Sequence, residues 1–135
     1  MTSPSVRVYF ALSGYNFDPD IVTRALEIEP TATDATGMHA SIEKPAISSW
    51  ELSTETFTDD LDIYEITNEL IKKIEPAKEN ILKIIESHNL SPRVCAVVTL
   101  SSDKDETNPD LAFGARTIRF LSEIGAFIDV QYKIV

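Results

Sequence analysis

Val94, Cys95, Ala96, Val97, Val98 and Leu100 form a nearly unbroken apolar run. The run is short and rich in β-branched valine, so it reads as a strand rather than a helix. Such a run is what a strand buried on both faces, or flanked on both sides, looks like. The chain must therefore build a sheet around this segment. Two further segments have the period of two that a half-buried strand needs. Val6, Val8, Phe10 and Leu12 alternate with Arg7, Tyr9, Ala11 and Ser13 near the start. Ile128, Val130, Tyr132 and Ile134 alternate with Asp129, Gln131 and Lys133 at the end.

Helical spacing fills the intervals. Asp18-Pro19-Asp20 opens a first helix: Asp18 can cap, Pro19 suits the first helical position, and Asp20 faces the positive end of the dipole. Ile21, Val22, Ala25 and Leu26 carry its apolar face, and Pro30 is expected to stop it. A second helix is expected from Thr58 or Asp59, with Ile63, Ile66, Leu70, Ile71 and Ile74 as its stripe. Glu75-Pro76 restarts the pattern, and Ile81, Leu82, Ile84 and Ile85 face the core until His88-Asn89. Asn108-Pro109-Asp110 repeats the capping chemistry of Asp18-Pro19-Asp20. It predicts a last helix through Leu111, Ala115, Ile118 and Leu121 that Gly125 ends.

Residues 31–46 are polar and irregular. They are expected either as a mobile functional loop or as a weak hairpin, in which a short strand over 38–42 turns through Glu43-Lys44-Pro45 into a strand over 48–53, where Ser48, Trp50 and Leu52 share a face. Each end of the chain thus follows one plan of strand, loop, capped helix and strand. The expected architecture is an α+β two-layer sandwich, ferredoxin-like, with two right-handed βαβ halves joined by a helical pair. One domain over residues 1–135 suits the length.

Charge and cysteine content narrow the function. Twelve Lys and Arg stand against 22 Asp and Glu, a formal charge of −10. That sign repels phosphate backbones and anionic lipid, so neither nucleic acid nor a membrane is an expected partner. No apolar run approaches the ~20 residues of a bilayer span. Met1-Thr2-Ser3-Pro4-Ser5 has no signal-peptide pattern, and Cys95 is the single cysteine, so a cytoplasmic setting is expected. Residues 45–71 hold Glu51, Glu55, Asp59, Asp60, Asp62, Glu65 and Glu69 but no Lys or Arg until Lys72. The plain reading is a solvated helix face with acids at its N-terminus. The sharper one is a patch for a basic protein.

No constellation points to catalysis, and no cofactor or metal is expected. His39, His88 and Cys95 have no ligand spacing. Asp103-Lys104-Asp105-Glu106 with Asp110 is oxygen-rich but lacks the glycine and distal glutamate of a calcium loop. Cys95 lies in an apolar strand and behaves as a small hydrophobe. Trp50 reads first as buried area.

Several segments resemble a known family. Tyr9-Phe10-Ala11-Leu12-Ser13-Gly14-Tyr15, Phe17-Asp18-Pro19-Asp20 and Leu26-Glu27-Ile28-Glu29-Pro30-Thr31 resemble the opening of the bacterial domain-of-unknown-function family 4279. Ser49-Trp50-Glu51-Leu52-Ser53, Ile74-Glu75-Pro76 and Leu121-Ser122-Glu123-Ile124-Gly125-Ala126 resemble later parts of it. The resemblance implies a single domain and a bacterial cytoplasmic setting, and it transfers no catalytic residue.

The expected role is a non-catalytic, acidic protein-binding module, in its narrowest form an immunity-type protein that neutralises a basic toxin. The candidate binding surface is Tyr15, Asp18, Trp50, Asp59, Asp60, Asp103 and Asp105. The competing reading is a small-ligand sensor or enzyme with a pocket between loops 14–20, 31–46 and 101–110. A homodimer through the terminal strand is a third.

Overall fold

A computed structural model describes residues 4–135, so Met1, Thr2 and Ser3 of the N-terminal reading lie outside the described residues. One five-stranded sheet has the order β2-β3-β1-β4-β5. Its strands are β1 (Ser5–Tyr15), β2 (Ala32–Asp34), β3 (Ile47–Ser53), β4 (Ser91–Leu100) and β5 (Phe127–Ile134). The helices are α1 (Asp20–Leu26), α2 (Ile63–Ile74), α3 (Lys78–His88) and α4 (Ala115–Ile124). No helix among the described residues is long and apolar enough to cross a membrane.

β1 is antiparallel to both of its neighbours, β3 and β4, and β2 is antiparallel to β3. β1 and β2 therefore run the same way with β3 between them. β3 and β4 run the same way with β1 between them. That is the ferredoxin-like arrangement, and α4 and β5 add a parallel strand beside β4. The two βαβ units consequently differ in kind. The first is split by β3, whereas the second sets its strands side by side. The α2–α3 pair is the crossover from β3 to β4.

The alternation in β1 decides the layering. Val6, Val8, Phe10 and Leu12 are fully buried and share one cluster with residues of all four helices, so the helices cover one face. On the opposite face Tyr9, Ala11 and Cys95 are buried, with Val97 against them, and no helix covers them. Trp50 lies in the helix-side core. Its ring meets Phe10 edge-on with centroids 6.5 Å apart, and its indole N–H donates to Thr23 Oγ1 at 3.0 Å. A buried tryptophan needs that partner for its one polar group.

Several local expectations change. α1 ends at Leu26, before Pro30, because Glu27 turns left-handed at φ 56° and its N–H closes onto the Thr23 carbonyl. Asp18 still accepts from the Asp20 N–H at 3.0 Å. α2 starts at Ile63 rather than Thr58 or Asp59. The chain stays extended while Phe57 bridges Val6, and Asp62 then caps by accepting from the Glu65 N–H at 3.3 Å. Residues Glu75–Ala77 form a 3-10 turn around Pro76, which separates α2 from α3. Residues 38–42 form no strand. Ala32–Asp34 pairs with β3 instead, and a 3-10 turn follows over Thr36–His39. Gly37 sits so close to the Ala46 carbonyl and Ser48 that a Cβ would collide with both.

The largest change is at the last helix. α4 begins at Ala115 behind Gly114, not at Asn108-Pro109-Asp110. The Asn108 side chain is committed elsewhere: its Oδ1 accepts from the Ser101 N–H at 2.7 Å, and its Nδ2 donates to the Ser101 carbonyl at 3.0 Å. Leu111, expected on the helix, is exposed in the connection.

Candidate functional site

The sheet topology sorts the seven expected binding residues into separate places. Tyr15 pairs with Ile47 at one end of the sheet, and Asp18 follows in the connection to α1. β4 is antiparallel to β1, so Ser13 lies beside Ser91, and Ser5 lies beside Thr99. Asp103 and Asp105 therefore leave the sheet at its Ser5 end, as do Asp59 and Asp60, which follow the Phe57–Val6 bridge. Trp50 is buried and presents no surface to a partner.

The same topology rules out the expected pocket between loops 14–20, 31–46 and 101–110. The first two do meet, and the Asn16 N–H donates to the Ala46 carbonyl at 3.2 Å. The third lies at the opposite end, where the Ser102 N–H donates to the Val135 carbonyl. Strand direction is the reason, because antiparallel neighbours send their exits to opposite edges.

The Ser5 end carries a cleft with a mainly apolar lining. It has a volume of about 300 Å³ and lies between residues 54–57 and the outer side of α2. Helical spacing builds its walls. Ile66 and Leu70, one turn apart, form the floor with Phe57. Glu65, Glu69 and Lys73, one turn apart on the adjacent row, form the rim, and Glu55 closes the other side. Backbone bonds from Thr54 and Phe57 to Val8 and Val6 fix that far wall to β1. Glu69 pairs with Lys72 at 3.0 Å, while among the described residues neither Glu55 nor Glu65 has an ion-pair partner. An apolar floor under unpaired carboxylates can take an apolar side chain flanked by cations.

Two other surfaces are built differently. A groove of about 460 Å³ between α3 and α4 is charged, and four of its five charged side chains pair with one another, leaving Arg119 outside the pairs. Arg116 grips Glu75 through two bonds, Nε–Oε1 at 2.6 Å and NH2–Oε2 at 2.9 Å, and Lys78 pairs with Glu123. The Arg116 guanidinium holds the Glu75 carboxyl below its ordinary pKa. These pairs lash the helices together, and bidentate geometry suits that task.

The uncovered sheet face centres on Tyr9, which is 5% exposed. Arg7 and Arg93 stack on its ring, 5.1 and 5.6 Å from the centroid. Burial first, and then a hydrogen bond with the Cys95 thiol, push the Tyr9 hydroxyl up to about 12, against the opposing pull of Arg93. Cys95 is fully buried beneath this cover. The face is flat and self-covered. It was half visible in the alternation of Arg7, Tyr9 and Ala11, but the register that brings Arg93 and Cys95 beside them was not.

Among the described residues no three His, Cys, Asp or Glu side chains stand together as a metal site. No curated protein and no solved structure matches the chain. A family model does match, over residues 4–135, under the description Domain of unknown function (DUF4279), and the chain belongs to that family.

Proposed function

We propose that the chain is a non-catalytic protein-binding module. It docks a basic, partly apolar segment of another protein into the cleft between residues 54–57 and α2. One observation carries the reading: Phe57, Ile66 and Leu70 line the cleft together with Glu55, Glu65 and Glu69, three carboxylates against the single cation Lys73, and neither Glu55 nor Glu65 is ion-paired among the described residues. A net charge of −10 adds long-range attraction for a cationic partner and speeds encounter at low salt. Asp59, Asp60, Asp103 and Asp105 belong to this sheet end and extend its negative field. A basic toxin is the narrower form of such a partner.

The test compares the wild-type chain with a Glu65→Lys/Glu69→Lys variant, both immobilised and exposed to extract of the producing cell. A basic protein is expected on the wild type at ~20 mM salt, released at ~0.5 M as charges are screened, and missing from the variant. Equal retention by both proteins, or no salt-sensitive retention at all, contradicts the reading.

A further inference from the structure

The two edges of the sheet are unlike. β2 is three residues long, a length that offers little to an incoming strand. β5 is eight residues long, and among the described residues no strand pairs its outer edge. It contains no proline, and its apolar side chains are open: Tyr132 is 67% exposed, Ile134 63% and Phe127 50%. A long edge without proline and with open apolar side chains invites another strand.

The backbone sets what can pair there. The Val135 N–H donates to the Leu100 carbonyl, and the Val135 carbonyl accepts from the Ser102 N–H, each at 2.9 Å. Backbone groups alternate in direction along a strand. The odd-numbered residues of β5 therefore face β4, and Ile128, Val130, Tyr132 and Ile134 present their N–H and C=O groups outward.

We infer that two copies of the chain pair through β5, antiparallel and two-fold symmetric about Gln131, so that one sheet runs through both copies. In this register Ile128 opposes Ile134, and Val130 opposes Tyr132. All four residues are among those with outward backbone groups, so the pairs form about eight N–H···O bonds across the axis. On the other face Asp129 opposes Lys133 twice, once on each side of Gln131. Opposite charges directly across a strand pair favour it, and like charges oppose it. A slip by two residues keeps the backbone bonds but sets Asp129 against Gln131 or Val135. Charge complementarity thus selects the register centred on Gln131. The interface is isologous and closes, which limits the assembly to a dimer.

The experiment is light scattering on the full chain. Wild type is expected at twice the 15.0 kDa chain mass. Tyr132→Pro removes an outward N–H while leaving the bonds to β4, so it is expected at the monomer mass with unchanged circular dichroism. Asp129→Lys and Lys133→Asp each set like charges against each other and are expected as monomers. Mixed in equal amounts, these two variants restore both opposite pairs and are expected to form a heterodimer. A wild-type monomer at about 0.1 mM overturns the inference. So does a dimer that survives Tyr132→Pro, or a mixture that stays monomeric.

Discussion

Tyr9 shows how one side chain can couple an uncovered surface to stability. Its ring fills the middle of the open sheet face, two arginines cap it, and Cys95 is its cross-strand neighbour. The folded chain holds the phenol proton up to about 12, above the ordinary value of 10. Between those values the unfolded chain loses the proton first. The stabilisation is therefore complete below 10 and is lost as pH rises through about 12. Urea midpoints across that interval are expected to fall steeply for wild type and less for Tyr9→Phe. Equal slopes would show that Tyr9 does not titrate late. Alternation alone identified the face on which Tyr9 lies. It could not place Arg93 and Cys95 there, because pairing register is a long-range property. Trp50 was legible as core for a simpler reason, since a lone large aromatic between Ser48 and Leu52 on one face has most to gain from burial.

At the scale of elements, agreement between sequence and structure follows the strength of the local signal. The strands over β1 and β4 and the isoleucine stripe of α2 are legible because burial repeats over many residues, whereas β5 is legible from its apolar–polar alternation although none of its residues is buried. β2 is not legible, since Ala32, Thr33 and Asp34 are exposed and become a strand only because β3 offers a partner. The second Asx-Pro-Asp triplet misled for a chemical reason. Asn108 has one side chain, and it clamps the Ser101 backbone instead of capping a helix. Asn108→Ala is accordingly expected to leave α4 intact. It removes the side-chain partner of both the Ser101 N–H and the Ser101 carbonyl, so a loss of ~1–3 kcal/mol is expected in chemical denaturation, with faster amide exchange over residues 101–110. Unchanged exchange there would contradict the clamp.

At the scale of the molecule, strand direction governs function. Five strands and four helices were nearly all anticipated, yet an antiparallel β1–β4 pair sends the 101–110 loop away from the other two loops and removes their shared pocket. The same direction sends the 103–106 acids to the sheet end from which the chain leads through residues 54–57 to α2, where an apolar cleft lies that no local pattern announces. In the sequence Glu65 and Glu69 belong to a solvated row and Ile66 and Leu70 to a core stripe. The far wall at Phe57, which makes a cleft of them, depends on the bridge to Val6. The account turns on whether that cleft is where a partner sits. Amide chemical-shift mapping of the isotope-labelled chain, titrated with the basic protein it captures, answers this most directly. The largest changes are expected at residues 54–57 and 65–73. Changes concentrated instead on Arg7, Tyr9 and Arg93, or around Tyr15, would contradict it.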